Sequence, residues 1–562
     1  MPIGDFPLEF FMKTTSNSPL QIFATHIGFF RRAIPKANSS KQTHRYHPSI
    51  AVWIGLLVFP LSVCAADSPQ WGGTSSKNMV SLERNLPETF VPGEGTIGEI
   101  DLATTRNVKW VVKTGAFSCG TPTIAGGKVF IGGMIDRQGV LKCFDEATGK
   151  LLWQWTRRCR ADLKEDAMNF RSFPRMLGVC STPAVEGDRL YFVDQNCVVN
   201  CLDVNGQAAA AGANVGEAKE IWAFDMYADP AVGSRPSDAC NGSPLIDGPL
   251  LYVTTSNGVD RIITVPIAED AARRCFAPNA PTLIVLDKRT GRLLAKDAAP
   301  TAALMLHGQW SSPSMGTVGG RKLVFLGGGD GNCYAFEALA DVPTEPVTLK
   351  TAWWVDCNPA EYRDFNGMDL YVHYTLGDRR RDDSINKRDD GSFVGISEII
   401  ATPVFYQNRV YVAIGRDPDH GRGRGALLCL ATDKSGDATQ SARIWTYQGL
   451  DRSLSTVSIA DGLLYLADVA GRLHCLDVET GLAVWVYDTK SRTVGSTMVA
   501  DGKVYLATEK HLNVLAAGKE MKLLSRIDLG AASWVTPVAA NGVLYIASKN
   551  YLWAVQQSTG AL

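Results

Sequence analysis

Residues 455–489 read STVSIADGLLYLADVAGRLHCLDVETGLAVWVYDT. Leu463 to Ala467, Leu473 to Leu476 and Val484 to Tyr487 are runs of strand-forming residues, and Asp461-Gly462 and Thr480-Gly481 are turn dipeptides between runs. With the strand that opens at Val457, this makes four strands. A strand quartet of about 40 residues is the unit of a propeller blade.

Working outward, a Thr/Ser-Pro step opens the first strand of each unit. The anchors are Pro122, Pro183, Pro244, Pro313 and Pro403, then Val457 and Thr497 in place of proline, then Pro537, giving eight repeats. Eight residues after an anchor stands Phe130, Tyr191, Tyr252, Tyr411, Tyr465, Tyr505 or Tyr545; repeat four reaches Phe325 after a Val318-Gly319-Gly320 insertion. The last three anchors are 40 residues apart, so the wider early spacings are loops inserted into the same unit. Repeat eight ends at Leu562 without its fourth strand. Asn107 to Gly115, NVKWVVKTG, matches the fourth-strand text around Trp485, and pairing it with the C-terminal strands leaves no open sheet edge. The expected fold is all-β: an eight-bladed propeller of four-stranded antiparallel blades over residues 107–562, closed by that N-terminal strand, with 67–106 an irregular lead-in.

Residues 1–66 stand apart. Ile50 to Val63 is an apolar run of 14, preceded by Arg31, Arg32, Lys36, Lys41 and Arg45 and followed by Cys64-Ala65-Ala66. That pattern predicts an export signal cleaved near Ala65 or Ala66 and a periplasmic or extracellular protein. Leu61-Ser62-Val63-Cys64 adds lipid anchoring, or retention of the uncleaved signal, as alternatives. A net charge of −1 gives no electrostatic case for nucleic acid or an anionic membrane, and 45% apolar residues supply ample core for a monomer.

Cys143, Cys201, Cys429 and Cys475 share one third-strand slot, where a small apolar residue packs. Cys119, Cys159, Cys180, Cys240, Cys275 and Cys357 fall beside inserted loops; Cys159 with Cys180 or Cys240 with Cys275 could staple a loop, the alternative being free thiols. Trp110, Trp153, Trp222, Trp353, Trp445 and Trp485 recur where the fourth strand begins, packing residues worth up to ~4 kcal/mol gross each. Ala295 and Ser525 fill that slot in repeats three and seven, which predicts weaker contacts there.

Repeats of this form, as in Val285-Leu286-Asp287 to Thr290-Gly291 and Cys475 to Trp485, resemble the pyrroloquinoline-quinone-like (PQQ-like) propeller repeats. That superfamily includes quinoprotein alcohol dehydrogenases, a propeller lipoprotein of outer-membrane assembly and many secreted proteins of unassigned activity. Its dehydrogenases imply PQQ, calcium held by a Glu/Asn/Asp set, an aspartate base and adjacent cysteines. This sequence has no Cys-Cys pair.

In an up-and-down propeller, the inserted segments 156–180, 226–241, 257–281, 357–400 and 416–425 all emerge on one face, which makes it the binding face. Asn241, His307, Gln309, Trp310, Arg492 and Trp534 rim its channel and offer imidazole, amide and indole groups to a flat or sugar-like ligand, with Arg492 as anion partner. Alternatively they plug the channel and bond one another. Asp417, Asp419 and His420 are a candidate metal cluster, against a loop braced by Asp–Arg contacts. The functional expectation is a module that binds a small molecule or a protein without a redox cofactor. A divergent PQQ-dependent dehydrogenase and an envelope assembly scaffold are the alternatives.

Overall fold

The computed structural model describes residues 66–557, apart from residues 95–99, 116, 119, 137, 161–177, 211, 237–238, 260–274, 276, 299–300, 302–304, 366, 370–394 and 418–422. The expected export signal, Asp419 and His420 lie outside the described residues.

The architecture is all-β, a succession of antiparallel sheets with almost no helix. Repeat six forms Ser458–Ala460, Leu463–Ala467, Arg472–Asp477 and Ala483–Asp488, hydrogen-bonded in chain order as one sheet. Repeats five and seven form the same four-stranded meander. In repeat eight, Val538–Ala540, Val543–Ala547 and Tyr551–Val555 are completed by Val108–Lys113, which pairs antiparallel with Tyr551–Val555.

The other repeats share strands. Val347–Thr348, from the insertion of repeat four, pairs parallel with the outer strand Leu293–Lys296 of repeat three. Gly436–Asp437, from repeat five, does the same to Thr351–Asp356 of repeat four. Gly216 and Glu217 of repeat two pair parallel with Trp153 and Gln154, which joins repeats one and two into a sheet of nine strands. The cause is common to all three. An outer strand exposes unpaired N–H and C=O groups, and the loop of the next repeat satisfies them.

The tryptophan slot explains how neighbouring repeats adhere. Cys143 faces Trp153, Cys201 faces Trp222, Cys429 faces Trp445 and Cys475 faces Trp485 across the third and fourth strands. Each indole then reaches forward into the next repeat: Trp110 Nε1 donates to Glu146 O, Trp153 to Val204 O, Trp222 to Lys288 O, Trp353 to Thr432 O, Trp445 to Val478 O and Trp485 to Gly518 O. The Thr-Gly turn beneath the ring has no room for a side chain. A Cβ at Gly481, whose φ is +70°, would lie 2.5 Å from the Trp445 ring. Neither gap in the series is left open. Leu349, with Leu339 against it, packs in the cluster that holds Ala295, and Leu86 and Phe90 pack beside the outer edge of repeat seven, where Ser525 Oγ donates to Glu88 O.

The loop-cysteine pairings are corrected. Cys180 is disulfide-bonded, whereas Cys159, Cys240 and Cys275 do not form the expected bridges. Cys275 turns instead to Asn257 and Gly258, its Sγ donating to Gly258 O. Sequence spacing carries no information on which loops converge.

Candidate functional site

The first strands of the repeats lie at one edge of their sheets, and just ahead of each stands a hydroxyl residue. The backbone N–H of Thr182 donates to Ser243 Oγ, Ser243 to Ser312, Thr402 to Thr456, Thr456 to Ser496, Ser496 to Thr536 and Thr536 to Thr121. These bonds link one repeat to the next, the last returning from repeat eight to repeat one, so the first strands converge on an axis.

The lead-in segment runs along that axis. Ser68 O accepts from Ile124 N, Pro69 O from Val185 N, Ser75 O from Met315 N, Ser76 O from Phe405 N and Met79 O from Val499 N. Asn78 Oδ1 accepts from Ile459 N, and Ser81 Oγ donates to Ala539 O. Each partner stands two residues after its anchor, and the order follows the chain through repeats one, two and four to eight. Asp67 and Glu83 reach the first hairpin turns at Gly126 and Gly542. Residues 66–83 therefore wind around the axis on the side of the first hairpin turns and close that mouth.

The other mouth carries charge. Glu398, Arg452 and Arg492 each stand five residues before the anchors of repeats five, six and seven. Arg416 and Asp417 follow the second strand of repeat five, Arg409–Ile414, and join them. The Asp417 N–H donates to Glu398 Oε1 at 2.8 Å. Burial pushes the Glu398 carboxyl above its ordinary range, against that N–H and the Arg416 and Arg452 charges. Burial also pulls the Arg452 guanidinium below its ordinary value; Asp451 opposes this, and Arg416 adds to it. Arg492 is the exposed member, its Nη1 3.9 Å from Glu509 Oε1. Three guanidinium groups thus gather at this mouth among the Glu398, Asp417, Asp451 and Glu509 carboxylates, and their planar forks suit an anionic group.

The rim residues expected from sequence divide into two sets. His307 is buried edge-on against Trp310, ring centroids 4.3 Å apart, with Nε2 3.9 Å from Asp417 Oδ2. Gln309 Oε1 accepts from Gly329 N and its Nε2 donates to Gly327 O, while Trp310 Nε1 donates to Ala239 O. The polar atoms of Gln309 and Trp310 are thus engaged by backbone and not by one another. Asn241, Arg492 and Trp534 retain solvent exposure, and the Lys549 ammonium sits 4.3 Å from the Trp534 ring centroid. Asp417 belongs to the charged cluster, and among the described residues no three His, Cys, Asp or Glu side chains are grouped to hold a metal. The Gln309 amide and the Trp310 indole, expected to face a flat ring, are thus already occupied.

Glu398, Arg416 and Arg452 were not legible as site residues from motif patterns. The signal that finds Glu398 and Arg452 is their shared offset, five residues ahead of the anchors.

Taken together, the sheets, the tryptophan series and the converging first strands define a β-propeller of PQQ-like repeats, in the quinoprotein alcohol dehydrogenase-like superfamily. The family described as outer membrane protein assembly factor BamB matches residues 93–338 and 431–528, more than half of the chain, and the chain belongs to it. Among solved structures, BamB from Moraxella catarrhalis is similar at 12% identity with a TM-score of 0.47, covering 81% of this chain and 98% of that one. A europium-containing methanol dehydrogenase is similar at 11% identity and a TM-score of 0.49, over 86% of this chain and 89% of the other. The quinohemoprotein alcohol dehydrogenase from Comamonas testosteroni gives 13% identity and a TM-score of 0.44, over 88% and 82%. A search of curated proteins finds no match.

Proposed function

We propose that this chain is an exported, eight-bladed propeller that binds a ligand or partner protein at its loop-elaborated mouth, through an anionic group held by Arg416, Arg452 and Arg492. The observation that carries this reading is the asymmetry of the axis: residues 66–83 close one mouth, and the arginines gather at the other. The inter-repeat hydroxyl bonds and the pairing of Val108–Lys113 with Tyr551–Val555 support a closed ring of eight. Export is supported by the apolar run Ile50 to Val63 and by the disulfide at Cys180. Asn241 and Trp534 contribute the polar and aromatic rim of the site. The family description favours a protein partner in envelope assembly.

The test is retention of partners from envelope extracts by wild type and by the Arg452→Glu/Arg492→Glu double variant, both confirmed folded by thermal melting. The expected result is a partner or extracted small molecule held by wild type and lost, at least tenfold, by the variant. Equal retention removes the mouth as the binding surface. Added PQQ and calcium should leave the visible spectrum and melting temperature unchanged; a quinone band with dye reduction would instead establish the dehydrogenase reading.

A further inference from the structure

Two buried thiols from different repeats meet behind the elaborated mouth. Cys197 lies in the turn after Arg189–Val193 of repeat two, and Cys240 lies in the segment that enters repeat three. Both are fully buried in one apolar cluster with Val193, Met226, Val232 and Val253, and their side chains interact directly. Cys197 holds a left-handed backbone, φ +64°, that a non-glycine residue adopts only under local constraint. That backbone accompanies a side chain aimed across the repeat boundary, where Sγ donates to Thr255 O at 3.1 Å beside the Ser234 hydroxyl on the same oxygen. The neighbouring residue on the Cys240 side, Ala239, supplies the carbonyl that holds the Trp310 indole.

We propose that Cys197 and Cys240 form a disulfide that staples repeat two to repeat three and fixes the segment supporting Trp310 and Asn241. The bond forms by exchange with a disulfide donor such as oxidised glutathione or an oxidised dithiol protein. One thiolate attacks the donor and expels its first thiolate, and the second cysteine displaces the remaining donor sulfur. Two S–H bonds are lost and one S–S bond is made, and the two protons end on the donor sulfurs, which leave as two thiols. Burial, and then the Cys240 side chain, hold the Cys197 thiol well above its ordinary range, so exchange belongs to the folding chain and is slow once the fold has closed.

The full-length protein is unfolded, reduced, refolded in mixed oxidised and reduced glutathione, blocked with N-ethylmaleimide under denaturing conditions and mapped by mass spectrometry. The expected result is a cross-linked peptide joining Cys197 to Cys240, beside the one that carries Cys180, with Cys143 and Cys429 labelled as free-thiol controls. Maleimide on both Cys197 and Cys240, or a bond from either to another cysteine, overturns the proposal. Because this reads the cross-link in vitro, it is independent of export and of the mouth's ligand. As a second measure, the melting-temperature gap between wild type and Cys240→Ala should narrow by about 4 °C when both are reduced; an unchanged gap counts against the staple.

Discussion

Lys77 is fully enclosed within the winding lead-in segment, with its Nζ on the neutral Gln70 Oε1 at 2.8 Å, and burial pulls its pKa down to about 7. The folded protein therefore holds this amine neutral where the unfolded chain, near its ordinary 10.5, is charged. Unfolding takes up a proton between those two values, so stability rises with pH across the window from about 7 to 10.5 and levels off below it. The slope reaches roughly 1.4 kcal/mol per pH unit. Urea midpoints measured from pH 6 to 10 should climb in wild type, and the Lys77→Met protein should lack that one-proton component. An identical climb in the variant would assign it elsewhere. Nothing in the sequence marks this lysine, because its burial depends on a segment without strand or helix periodicity. Glu398 and Arg452 also stand outside the strands where alternation gives a residue its direction, and only their offset from the anchors marks them.

At the scale of elements, the indole that reaches into the next repeat is the unit of adhesion. Trp353→Ala removes a fully buried ring and the bond to Thr432 O, and should cost about 3–5 kcal/mol in denaturant unfolding. The Ser525 slot gives the opposite test. Sequence repetition alone predicts that Ser525→Trp completes the series and stabilises, whereas Leu86 and Phe90 pack beside that edge and Glu88 O already accepts from Ser525. The structure therefore predicts a loss of about 1–3 kcal/mol. The four-strand meander was legible because strands alternate and their turns carry Asp-Gly or Thr-Gly. The strands lent between repeats were not, since Val347–Thr348 and Gly436–Asp437 are too short to show a period.

For the whole molecule, closure rests on Val108–Lys113 bridging to Tyr551–Val555, with Trp110 near Tyr545 and bonded to Glu146 O. Truncation before Tyr551 exposes both the strand Val543–Ala547 and the partnerless Val108–Lys113. The expected outcome is aggregation on size-exclusion chromatography instead of a merely less stable monomer; a well-behaved monomer would show that closure is dispensable.

The winding of residues 66–83 also has a consequence in time. A ribosome makes this stretch before any repeat exists, yet the groups that hold it arrive in order from Ile124 to Ala539. The earliest part of the described chain thus completes its seat only once repeat eight has been made.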